Sequence, residues 1–116
     1  MRRIHHPEFF AVDLPRIEKE LDSAERLAEF LYCFDKAILE IKFDPADGAP
    51  LKMSLAVYRK KKFHAVRRPP HEMRADYRLI YRYEAITDTL FVLGAGKRKP
   101  GQSDDIYAIL NARTPI

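Results

Sequence analysis

The sequence predicts an α+β fold: an N-terminal strand and two helices packed on an antiparallel sheet, ending in a three-strand meander and a short terminal helix. Three observations carry this. Leu27, Leu31, Phe34, Ile38 and Ile41 recur at spacings of four, three, four and three with charges between them, the apolar stripe of a helix. In "DYRLIYRYE", Tyr77, Leu79, Tyr81 and Tyr83 alternate with Arg78, Ile80 and Arg82, the period of a strand with one buried face. "TLFVLGAGKR" is apolar on both faces, as a central strand is. Helical patterns precede strand patterns rather than alternating with them, which favours helices layered on a sheet.

Taken in order, "RRIHH" reads as a first strand. Phe10, Leu14, Ile17 and Leu21 share a helical face. Pro7 suits a first helical turn, and Pro15 must start a second piece or kink the first. Asp22 followed by Glu25 reads as a capping box opening the long helix. "DPADGAP" stops that helix. Residues 51–59 are ambiguous, "KFHAVRR" reads as a strand and "RPPHEM" as a loop or hairpin extension. Tyr77, Tyr81 and Tyr83 are expected to face the core. "DDIYAILNAR" closes the chain as a short helix.

At 116 residues, with 33% charged and 47% hydrophobic residues, residues 1–116 read as one ordinary globular domain. No apolar run approaches a membrane span, "MRRIHHPEFF" lacks a signal-peptide apolar core, and the one cysteine, Cys33, cannot form an internal disulfide. The chain is expected to be cytoplasmic, with no membrane partner. His5-His6 has no second cluster to complete a metal site, so it reads as a strand-end pair, and no metal or cofactor is expected.

Charge is segregated. Residues 59–99 carry 12 Lys/Arg against 4 Asp/Glu, a net of +8, whereas residues 1–58 carry 8 against 11, a net of −3. Such a basic block points to a polyanion. "DTLFVLGAGKRKP" is its most suggestive piece, because a strand ends there in glycines and three cations. It is not a nucleotide P-loop, which needs Gly where Phe91 stands and Ser or Thr where Arg98 stands. By strand parity without a bulge, Gly94, Gly96 and Arg98 share one face, and Phe91, Leu93, Ala95 and Lys97 the other. Arg78 and Arg82 then lie beside the glycines, which are expected to leave room for a phosphodiester held by guanidinium forks.

"DYRLIYRYE", "DTLFVLGAGKRK" and "DDIY" in this order resemble the RelE/ParE superfamily of type II toxins, among them RelE/HigB-like mRNA interferases. The resemblance covers residues 60–110 by motif and the N-terminal half by architecture. It implies an endoribonuclease that cuts mRNA in the ribosome and is neutralised by an antitoxin, as a homodimer or a toxin–antitoxin hetero-oligomer. It also implies roles. Arg78 contacts the scissile phosphate, Arg98 stabilises the transition state, Tyr107 serves in acid/base work or base stacking, and Arg67 is a basic residue on the preceding strand. Arg74, Lys97 and Arg82 join Arg67 as phosphate-binding candidates. The alternatives are a ParE-like DNA gyrase inhibitor and a non-catalytic RNA- or protein-binding module.

Metal-free RNA cleavage needs a base for the 2′-OH, donors for the phosphorane and an acid for the leaving oxygen. Arginine is no base, its pKa being above about 12. Tyr107 would have to be lowered by Arg98 from its usual pKa of about 10 to act as one. His64 is the other catalytic candidate, with His71 behind it. Lys60 to Lys62 read as a solvated run that guides RNA. Arg82 has Glu84 and Asp76 as neighbours with which to pair.

Overall fold

A computed structural model describes residues 1–116. The strands are β1 (Arg2–His5), β2 (Ala49–Pro50), β3 (Arg59–Phe63), β4 (Tyr77–Glu84) and β5 (Thr89–Lys97). The helices are α1 (Leu14–Leu21), α2 (Ala24–Phe43) and α3 (Ile106–Asn111). The five strands form one sheet in the order β1-β5-β4-β3-β2. The β3-β4-β5 meander is antiparallel as expected, but β1 runs parallel to β5, so the sheet is mixed.

Two cores lie on opposite faces. Phe30, Phe34, Ile38 and Ile41 of α2 pack with Tyr77, Leu79, Tyr81, Leu90 and Val92 on one. Ile106 and Leu110 of α3 pack with Ile80, Leu93, Leu55 and Tyr58 on the other. The second face is therefore covered in part by the terminal helix and is not an open surface. Along α2 the stripe is rotated from the one expected: Phe30, Cys33 and Ala37 join Phe34, Ile38 and Ile41, while Leu31 is 38% exposed.

Ahead of α1, Phe9–Asp13 forms a π-helical turn in which the Leu14 amide donates to the Phe9 carbonyl. The wider turn admits Pro15 near the start of α1, where its missing N–H costs no helix bond. It also shifts the helical phase, so Phe9 is buried and Phe10 stays 58% exposed. Asp22 is not the cap of α2. It ends α1 in the left-handed region (φ 50°), and Ser23 caps α2 by accepting from the Arg26 amide at 3.3 Å.

β5 carries a bulge at Leu93: Ile80 pairs with Gly94 and Tyr81 with Val92. An extra residue reverses side-chain parity, so Phe91 and Leu93 lie on the α3 face, opposite to Ala95 and Lys97. Beyond the bulge the expected alternation of Ala95 and Lys97 against Gly94 and Gly96 holds.

Past His5, β1 no longer covers the outer edge of β5. Three side chains take over its hydrogen bonds. Asp13 accepts from the Ala95 amide at 3.0 Å, Arg16 donates to the Ala95 carbonyl at 2.9 Å, and Arg113 donates to the Leu93 carbonyl at 3.1 Å. Asp13 and Arg113 form a bidentate buried pair, both contacts at 2.8 Å. This group fills the space the glycines leave. A Cβ on Gly94 would lie 2.7 Å from Asp13, Arg113 and Leu110, and one on Gly96 would lie 2.7 Å from Arg16 and 3.0 Å from Ile106. The glycines admit the protein's own side chains, not a phosphodiester.

Candidate active site

Arg78, Arg98 and Tyr107 come from three elements and meet at one end of the β4/β5 ladder. Arg78 stands opposite Gly96 on the α3 face. Arg98 is the first residue past β5, fixed by its amide, which donates to the Asp76 carbonyl at 2.7 Å. Its guanidinium carbon lies 4.9 Å from the centroid of the Tyr107 ring in the first turn of α3.

Asp105 holds this arrangement. Its carboxylate takes Arg98 Nη1 at 2.6 Å, the Tyr107 amide at 3.3 Å and the Lys99 amide. One buried side chain thus caps α3 and aims the guanidinium over the phenol. Burial pushes the Asp105 carboxyl up, but the Arg98 guanidinium and the two amides outweigh it and hold the group below the usual carboxylate range. Asp104 turns away to Lys99, at 2.7 Å.

Two polar atoms here, Arg78 Nε and Tyr107 OH, are buried without a protein partner. Arg78 spends Nη1 on the Ala75 and Tyr77 carbonyls, which fixes its fork. Burial raises the Tyr107 phenol above its ordinary pKa, and the opposing pull of Arg78 and Arg98 does not overcome it. No hydrogen bond of good geometry joins the phenol to Arg78. The lowering expected from Arg98 therefore does not prevail, and Tyr107 stays protonated at neutral pH.

Two lysines belong with this cluster. Lys62 pairs across the sheet with Arg78 and Lys60 with Ile80, so both share the arginine face. Lys61 points the other way and is tied to Glu40 at 2.6 Å and to Asp47. Lys60 is held below its ordinary pKa, first by burial and then by Lys62, Arg78, Arg98 and Lys52. Lys60 and Tyr107 line one groove of about 520 Å³ with Lys52 and Asn111. Counting parity back from Phe63 would have separated Lys60 and Lys62 from Lys61; the uniform run concealed it.

The other candidates lie elsewhere. β3 ends at Phe63, so residues 64–68 turn toward α2 instead of continuing beside Arg78. His64 Nε2 is 2.9 Å from the Met73 carbonyl, and Arg67 stacks over Tyr32 at 3.9 Å. Arg74 and His71 are exposed in the loop before β4. Lys97 lies on the α2 face, 3.7 Å from Asp76. Arg82 stacks on Phe91 at 3.9 Å and donates to the Ile116 carbonyl at 2.7 Å, with Glu84 at 3.6 Å. His6 accepts from the Glu8 amide and holds the Thr114 carbonyl, while the His5 ring packs against Phe9 and Phe10. No group of three or more His, Cys, Asp and Glu side chains is placed to hold a metal ion.

No family model matches the sequence, and no curated protein matches it. Solved structures do. The YoeB/ParE toxin from Agrobacterium tumefaciens superposes with a TM-score of 0.54 at 16% identity, over 85% of this chain and 100% of that one. The RelBE2 toxin–antitoxin complex from Mycobacterium tuberculosis is 22% identical over 84% of this chain and 96% of its own, with a TM-score of 0.47. A conserved hypothetical protein from Helicobacter pylori is 21% identical over 84% and 93%, with a TM-score of 0.45. The first likeness is one of fold: the chain folds as that YoeB/ParE toxin does, in line with the architecture the motifs implied. Such an identity speaks for the fold alone, and the chemistry rests on the side chains.

Proposed function

We propose that this chain is the toxin of a type II toxin–antitoxin pair, a cytoplasmic, metal-independent endoribonuclease that cuts mRNA on the ribosome. The observation that carries the reading is the meeting of Arg78, Arg98 and Tyr107, with Arg78 Nε and Tyr107 OH buried and unpartnered. Buried polar atoms are nearly always satisfied, so a pair left open in one basic cleft suits an incoming anion. The fold likeness to a protein named as a YoeB/ParE toxin supports the same reading.

The geometry suggests a division of labour. Arg78 Nε and the N–H groups of Arg98 not held by Asp105 take the non-bridging phosphate oxygens. They are preorganised donors for the charge that develops on the phosphorane. The 2′ oxygen attacks phosphorus and gives its proton to the Lys60 amine, whose lowered pKa makes the neutral form more available. The P–O5′ bond breaks, and the Tyr107 phenol gives its proton to the departing 5′ oxygen. The products are a 2′,3′-cyclic phosphate and a 5′-hydroxyl, and no cofactor enters the balance. A gyrase-binding role or a non-catalytic module has no comparable use for the open pair.

Inducing the chain alone in cells tests this. Growth and translation should stop with messages cut, and co-expression of an acidic antitoxin should restore both. Intact message with stalled replication would replace this reading by the gyrase one.

A further inference from the structure

The groove between α2 and β3, away from the Arg78/Arg98/Tyr107 cluster, is lined by four cations without a carboxylate partner. It has a volume of about 460 Å³, and Lys36, Lys62, Arg67 and Arg68 are on its walls. None of these four is ion-paired with a carboxylate. The acids beside it are already engaged: Glu40 with Lys61, and Glu29 with the Arg67 amide at 3.3 Å. On its rim the Arg67 guanidinium lies 3.9 Å over the ring of Tyr32, which is 49% exposed.

We infer that this groove is a second binding site for single-stranded RNA, which takes the strand flanking the scissile bond. Four unpaired cations supply a backbone track, and the Tyr32–Arg67 pair supplies a flat, charged platform on which a base stacks. The groove and the cleft lie on opposite faces of the sheet and approach each other across the free edge of β3. Lys62 lines the groove and is the cross-strand partner of Arg78, and neighbouring strands are only about 4.8 Å apart. A strand whose phosphate rests on Arg78 would pass Lys62 and turn over the β3 edge to enter the groove. β2 pairs only with Arg59 and Lys60, so no strand covers β3 from Lys61 to Phe63 along this path. An acidic polypeptide would satisfy the cations but has no use for the stacking platform.

This inference rests on the nuclease reading for its ligand, and the test separates the two. Equilibrium binding of 2′-O-methyl oligomers, which cannot be cut, is measured for a trinucleotide and a dodecamer across a salt series. Lys36→Ala/Arg67→Ala/Arg68→Ala should lower the dodecamer's salt slope by about 2 log units, near 0.7 per lost phosphate contact, and leave the trinucleotide unchanged. Tyr32→Ala should weaken the dodecamer about ten-fold, and Tyr32→Phe should restore it, which guards against a folding defect. Single-turnover cleavage at saturation should persist in all of them. Dodecamer binding that is indifferent to these changes overturns the groove and leaves the nuclease intact. Groove-dependent binding by a protein that never cuts RNA overturns the nuclease and leaves the groove. Equal, Tyr32-independent capture of a poly-glutamate dodecapeptide overturns RNA as the ligand.

Discussion

Arg98→Ala, paired with a second change at Asp105, tests the proposed catalytic role apart from folding, because the same guanidinium also holds Asp105. As a transition-state donor its loss should slow cleavage by about 10²–10³, the cost of one preorganised donor. It also leaves Asp105, with a side chain only 6% exposed, without its cation. Breaking a fully buried pair costs about 3–5 kcal/mol and an exposed one about 0–1. Arg98 is 33% exposed and Asp105 keeps the Tyr107 and Lys99 amides. A loss of about 1–3 kcal/mol follows. Arg98→Ala/Asp105→Asn removes the stranded charge but keeps a side chain that caps well, so stability should return and activity should not. Lys97→Ala, on the other face beside Asp76, should change either quantity little, and Arg98→Lys should recover little activity because a point charge lacks the fork. The assay is single-turnover cleavage on programmed ribosomes, with urea unfolding of each variant. Equal losses at Lys97 and Arg98, or activity regained in the double variant, would refute the assignment.

Asp13→Asn should destabilise by about 1–3 kcal/mol, since it takes the buried carboxylate from Arg113 and Arg16 while Arg113 keeps Glu8 at 3.0 Å and Arg16 the Ala95 carbonyl; Gly94→Ala, crowding the same pair, should cost about 1–3 kcal/mol, both read from urea midpoints. His5 is held at a pKa of about 4, by burial first and then by Arg3. The unfolded chain takes its proton first, so stability is whole above about pH 6.5 and should fall by roughly 2–3 kcal/mol as pH approaches 4, a slope that His5→Phe removes. Cleavage should rise from pH 7 to 9, because Lys60 must lose a proton while Tyr107 keeps its own. Lys60→Ala should be slower and flat over that range, and a rising limb that survives in it would exclude Lys60 as the base.

The meander was legible because β4 alternates aromatic and aliphatic residues on the α2 face with Arg78 and Arg82 on the other, so the pattern reports parity directly even though Ile80 is buried under α3. β5 buries both, and nothing in "TLFVLG" marks the bulge at Leu93. The two glycines were seen as space, correctly, but what fills it comes from Asp13, Arg16, Arg113 and α3, distant in sequence. The π-helical turn left only Pro15 as a trace. In the site, the motifs brought out Arg78, Arg98 and Tyr107. Asp105 was not legible, because its hold on Arg98 depends on how the chain turns after β5. His64 and Arg67 were placed by extending β3 past Phe63, and a strand's end is set by what pairs beside it.

The edge of β5 that Asp13, Arg16 and Arg113 complete bears on the order of synthesis. Every strand of the sheet leaves the ribosome before Arg113 does, so a nascent chain carries its central strand with the Leu93 carbonyl still unclaimed and Asp13 lacking its bidentate partner. Tyr107 and its aiming carboxylate arrive over the same short interval. The element that seals the fold and the one that completes the cleft are thus the same stretch of polypeptide. A chain still in production therefore has neither a closed β5 edge nor an assembled Arg78/Arg98/Tyr107 cluster.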